Sequence, residues 1–193
     1  MKNLKNFRIV NDTEKKIIIN SLSKISTNIL QILGKVEFKL FILLKDLSSK
    51  NKFPSIFLVP NNLREFLDTI EFNRNVDSAG LYFGFIKRNQ FFLSLEGAEF
   101  LNNLNCFSEK DQIQVNDDGE KAILYGNKIL KKMIIKISSN LGKKEFLLVF
   151  NRLNELIAIA RSQIDYKTSQ NLNITDLIAL NLNDKGYYLR REQ

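Results

Sequence analysis

A chain of 193 residues, 44% hydrophobic and 26% charged, can build one globular core or two small ones. It has no histidine and a single cysteine, Cys106. That excludes an internal disulfide, every catalytic pair that needs an imidazole and, in practice, a structural zinc site. The formal net charge of +8 suits a polyanionic partner, or simply keeps a lysine-rich protein in solution.

The lone cysteine fits a reducing, intracellular setting. No charged start runs into an apolar segment as in a secretory signal, and runs such as Phe41–Leu44 are far too short to span a bilayer.

In chain order, residues 11–33 predict one long helix. Asn11 caps it, Glu14 completes a capping box, Ile18, Leu22, Ile25, Ile29 and Leu33 form the apolar stripe, and Gly34 stops it. Residues 36–44 alternate as a half-buried strand, 46–54 form a polar loop, and 55–59 a short strand closed by Pro60. A helix follows to about residue 72, with Leu63, Phe66, Leu67 and Ile70 inward. Residues 80–95 read as two strands around a turn at Lys87–Gln90, with Gly80 and Gly84 marking close backbone approach. Of Phe83, Phe85, Phe91 and Phe92, most should pack inward, a stacking platform being the other reading. A short helix at 96–104 leads to a connection near 106–111, where the domain boundary belongs.

Beyond it, a strand at 112–115 precedes a turn at Asp117-Asp118-Gly119. Residues 145–150, 155–162, 176–183 and 187–190 read as strands, with 163–173 as a polar loop between the second and third. Closely spaced short strands suggest a small barrel.

The segment LYGNKILKKMIIKISSN (124–140) reads as a helix entered at Gly126 and capped by Asn127. Ile129, Leu130, Met133, Ile134 and Ile137 would face inward. Lys128, Lys132 and Lys136 would align outside at i, i+4 and i+8, with Lys131 at the border. Such a stripe is either a solvated face or a set of phosphate contacts. Residues 121–193 carry 13 Lys and Arg against 6 Asp and Glu, and residues 1–120 carry 16 against 15. Moving the cut to 110/111 levels this to +5 and +3, since the first cut follows Asp117, Asp118 and Glu120. In YYLRREQ, read as a strand, Tyr188 and Arg190 share one face and Tyr187, Leu189 and Arg191 the other. Cys106 lacks a basic neighbour and reads as inert. No phosphate-binding or dinucleotide fingerprint occurs.

Three segments, SAGLYFGFIKRNQFFLSLEGAEFL (78–101), ILYGNKILKK (123–132) and NDKGYYLRRE (183–192), resemble in order and spacing the Nip-seven family of large-subunit ribosome biogenesis proteins, archaeal relatives included. VNDTEKKIII resembles that family's first helix. The resemblance implies an α+β chain: an antiparallel sheet flanked by helices, the pre-PUA domain (1–108), then a small mixed β-barrel, the RNA-binding PUA domain (109–193). It implies no catalysis, and the residues themselves point to no cofactor or metal. It implies partners among pre-ribosomal or other single-stranded or structured RNA and ribosome assembly proteins, with no membrane. RNA contacts are expected from Lys128, Lys131, Lys132, Lys136, Lys167, Lys185, Arg190 and Arg191. The chain departs from the family where glycines give way to Met133, Ile135, Ala158 and Ala160, and where Asn181 and Asn183 stand near basic positions of archaeal relatives. Two other readings stay open: a protein adaptor with weakened RNA affinity, and an RNA-binding subunit of a modification complex. The expected location is the cytoplasm for an archaeal protein and the nucleolus for a eukaryotic one.

Overall fold

The computed structural model describes residues 6–44, 53–69, 76, 78–187 and 190. The chain divides into two compact units, Met1–Cys106 and Phe107–Gln193. No helix among the described residues is long and apolar enough to cross a membrane.

The first unit is a five-stranded antiparallel meander, β1 (Asn6–Ile9), β2 (Phe38–Leu44), β3 (Ser55–Pro60), β4 (Leu81–Lys87) and β5 (Gln90–Leu93), in that spatial order. Between β1 and β2 the chain makes α1 (Asp12–Leu22) and α2 (Asn28–Leu33), then α3 (Asn61–Thr69) after β3 and α4 (Leu95–Asn103) after β5. The capping box at Asn11 and Glu14 is present. Arg8 clasps the same carboxylate with two bonds of 2.7 and 2.9 Å, and its hydrogen bonds hold Glu14 below the usual carboxylate range.

The single helix predicted over 11–33 is two helices. Its apolar stripe is real at Ile18, Leu22 and Ile29, all buried, while Ile25 and Leu33 are only half-buried. The break falls on Ser23–Thr27, where hydroxyls compete for backbone partners. Ser23 donates to Ile19 O, and Ser26 donates to Cys106 O at 2.9 Å. The expected loop at 46–54 lies largely outside the described residues, as do residues 70–72 and the side chains of Phe66, Leu67 and Ile70.

The four hairpin phenylalanines fall on two faces, because a register shift in the β3–β4 pairing interrupts the alternation between Phe83 and Phe85. Phe83 and Phe91 are buried and stack at 5.5 Å. Phe85 and Phe92 lie on the other face, stacked at 5.1 Å, with Phe53 continuing the row at 5.6 Å and Lys87 Nζ 4.5 Å above its ring. Gly84 (φ +152°) sits between the strands where a Cβ would strike the Phe92 carbonyl and the Phe91 ring. Arg88 and Asn89 both have positive φ, 48° and 57°, the geometry of a two-residue type I′ turn.

The second unit contains β6 (Gln112–Val115), α5 (Asp117–Leu124), β7 (Ile129–Leu130), β8 (Ile134–Ile137), β9 (Phe146–Phe150), β10 (Leu156–Ser162), α6 (Tyr166–Gln170) and β11 (Leu177–Asp184). The strand order is β7-β11-β10-β9-β6-β8, with β6 parallel to β9 and every other pair antiparallel. The two ends of that order, β7 and β8, are joined by one 3-10 turn, Lys131–Met133, so the sheet curls into a nearly closed barrel. Its core includes Ile113, Val115, Ile123, Ile129, Leu147, Val149 and Ile178. Ala158 and Ala160 are wholly buried there, so their methyl groups fill the barrel interior.

Four predicted elements of this unit are corrected. Asp117-Asp118-Gly119 is the first turn of α5, because Asn116 accepts from Gly119 N at 2.8 Å and caps a helix there. Residues 124–140 are not a helix. The polar loop 163–173 contains α6, capped by Asp165. The strand read over 187–190 is not present at its two described residues: Tyr187 and Arg190 are helical, and Arg190 N bonds Gly186 O.

Candidate nucleic-acid interface

The basic segment begins where α5 ends. Gly126 N bonds Ile123 O at 2.8 Å and Asn127 N bonds Ala122 O at 3.0 Å. This paired termination needs a left-handed residue, and Gly126 supplies it at φ +83°. Glycine and asparagine therefore close the preceding helix, where the sequence reading had them open a new one.

The last carbonyls of α5 are held from below. Asn181 Nδ2 donates to Ile123 O at 3.1 Å and to Asp184 Oδ2 at 2.9 Å. The Arg190 guanidinium donates to Leu124 O and takes Asp184 in a two-point grip of 2.9 and 3.0 Å. Asp184 is buried, and its charged hydrogen bonds push the Arg190 guanidinium further up from its already high range. A cation at a helix carboxyl end also meets its dipole favourably. Arg190 is thus committed inside the fold.

Past Gly126 the chain enters β7, the 3-10 turn and β8, and the turn is tied down. Lys131 N bonds Asp176 O and Lys132 N bonds Ile174 O, both at 2.9 Å. Asn116, the cap of α5, also takes the Met133 carbonyl with its amide and the Lys132 carbonyl with its side chain, both at 2.9 Å. Lys131 turns back, and its Nζ donates to Gln170 O at 3.2 Å and Leu172 O at 2.8 Å. It closes the carboxyl end of α6.

Between these anchors lies an open groove of about 450 Å³ lined by Gly126, Asn127, Lys128, Leu130, Lys132 and Met133. Lys128 and Lys132 are exposed. No ion pair joins either to an acid among the described residues. The arrangement can receive anionic oxygens and offers no nucleophile or acid–base pair.

The expected RNA residues therefore fall into different places. Lys128 and Lys132 share the groove. Lys136 is exposed on β8, Lys167 on α6, and Lys185 in the turn after β11. Lys131 and Arg190 serve the fold, and Arg191 lies outside the described residues together with Tyr188 and Leu189. The stripe at i, i+4 and i+8 does not exist, because its residues belong to a strand, a turn and a second strand. The sequence reading missed Asn116 and Asp184, and marked Asn181 only as a departure from basic positions of archaeal relatives. Asn116 carried a signal, an asparagine before an acid-rich turn. Nothing local marked Asp184, whose partner is six residues away and whose helix end lies far back in the chain.

The NIP7/UPF0113 pre-PUA domain model matches residues 7–95, and the UPF0113 PUA domain model matches residues 111–193. The chain belongs to the NIP7/UPF0113 family. The chain is similar to a UPF0113 protein of Archaeoglobus fulgidus, 30% identical over 119 residues, a match covering 62% of this chain and 65% of the relative, just short of two thirds of it. It is also similar to the 60S ribosome subunit biogenesis protein NIP7 of Saccharomyces cerevisiae, 26% identical over 138 residues, covering 71% of this chain and 74% of the relative. Among solved structures, a hypothetical protein of Pyrococcus horikoshii superposes with a TM-score of 0.60 at 12% identity, over 92% of this chain and 93% of that one. A conserved PUA domain protein of Thermoplasma acidophilum gives 0.58 at 12%, over 97% and 99%. At such identity these structures show the fold alone: a five-stranded sheet with helices, then a PUA barrel.

Proposed function

We propose that this protein is a non-enzymatic RNA-binding factor in assembly of the large ribosomal subunit. The PUA unit, taken as 109–193, holds RNA through its phosphates at Lys128 and Lys132, with Lys136, Lys167 and Lys185 as outlying contacts. The pre-PUA unit, taken as 1–108, meets assembly proteins. The reading is carried by one observation: two exposed lysines, unpaired among the described residues, share a groove whose backbone is held at Gly126, Asn127, Lys131 and Lys132. Family membership and the name of the yeast relative supply the ribosomal context.

The test is affinity of the whole chain for labelled single-stranded RNA across a salt series. Each phosphate contact on a single strand adds about 0.7 to the log–log slope, so Lys128→Glu with Lys132→Glu should weaken binding and lower the slope by about 1.4. Binding that is undetectable at low salt, or a double variant that binds like the parent, defeats the reading.

A further inference from the structure

Tyr125 stands at the edge of the groove, with 76% of its surface exposed. It is the residue just before Gly126, so its Cα lies about 3.8 Å from that of a groove-lining residue. The backbone beneath it is rigid: Tyr125 N bonds Lys121 O at 3.1 Å, and the next two amides close the helix. The ring therefore has a fixed root and only two side-chain torsions to lose on contact. Lys121, exposed and four residues back, is its neighbour on the surface of α5. Lys128, three residues on, is at most about 11 Å away, Cα to Cα. The acids of α5 are Asp117, Asp118 and Glu120. The first two lie about 11 Å of rise further back, with Asp117 paired with Arg152 at 3.2 Å, while Glu120, about 7.5 Å of rise back, accepts from Asn151 Nδ2 at 3.1 Å.

A projecting aromatic framed by ammonium groups that have no acidic partner among the described residues combines the two features by which proteins take single strands: a surface for a base and charges for its phosphates. In a duplex the base faces are already covered, so the ring has nothing to receive. Resting on the RNA reading above, we infer that Tyr125 is a base-stacking residue. An unpaired base lies on its ring while Lys121, Lys128 and Lys132 meet the neighbouring phosphates. The ligand class is accordingly RNA with an accessible unpaired base at this position.

The test compares the parent, Tyr125→Ala and Tyr125→Phe on a labelled single-stranded RNA and on the matching duplex, with thermal melts to check folding. Tyr125→Ala should lose about ten-fold in single-strand affinity with its salt slope unchanged, and Tyr125→Phe should stay within about two-fold of the parent. Duplex affinity should not move, and ultraviolet cross-linking should place single-stranded RNA on the peptide carrying Tyr125. If the parent binds RNA with the expected salt slope but Tyr125→Ala matches it, the inference is overturned and the RNA reading stands. Equal losses on single strand and duplex also overturn it. A parent that binds no RNA defeats both.

Discussion

Lysines and arginines of one basic segment do different jobs here, and the difference is set by what each polar head can reach. Lys131 spans two carbonyls at the end of α6, whereas Lys132, the next residue, points its charge to solvent. Lys131→Met keeps the aliphatic stem and removes the donor, so it should cost about 1.5 kcal/mol of stability while leaving the salt slope of RNA binding unchanged. Denaturant unfolding beside the salt series would check both halves. Arg190→Ala should lower the melting temperature more than Lys131→Met. It strands the buried Asp184 carboxylate and frees a helix-end carbonyl together. A melting temperature equal to the parent's would show that the Arg190–Asp184 grip is dispensable.

Between residue and domain, elements rest on their ends. Arg8 and the Asn11 amide hold the Glu14 carboxylate charged, so its folded-state pKa is depressed. Stability from that cap is present above the unfolded value of about 4.3 and is lost as pH falls through the lower folded value. Unfolding at pH 7 and pH 3 should therefore show a smaller drop for Glu14→Gln than for the parent. Gly126→Ala places a side chain in the left-handed region and sets its Cβ 3.2 Å from the Arg190 guanidinium. A loss of about 1–2 kcal/mol is expected, read as a shift in the denaturant midpoint. These ends also explain how far the sequence could be read. The start of α1 was legible because cap and box lie within four residues. The segment 124–140 was not, since apolar residues at i, i+1, i+4 and i+5 suit a helix as well as two short strands around a turn. Two signals pointed the other way. Four of the nine residues 129–137 are isoleucine, a stiff β-branched side chain that favours strands, and glycine is far more at home after a helix than before one.

For the molecule as a whole, the apparent contrast in charge between its ends is a matter of where the chain is cut. At the structural division, residues 1–106 carry 15 Lys and Arg against 10 Asp and Glu, and residues 107–193 carry 14 against 11. Sequence counting cut α5 just after its acid-rich first turn and so placed its acids in the wrong unit. Both units are mildly positive, and what distinguishes the barrel is local: lysines without an acidic partner among the described residues, on a fastened frame. That kind of arrangement depends on pairings distant in the chain, such as Asn181 to Ile123 and Asn116 to Lys132, which periodicity does not report.

The turn Lys131–Met133 shuts the barrel and, through Lys132, shapes the groove. Any polyanion settled there spans the seam like a clasp, and its binding energy adds to the work of prying the last strands apart. Amide protons of residues 129–137 should then trade with solvent more slowly once the groove is occupied, while those of the first sheet keep their pace.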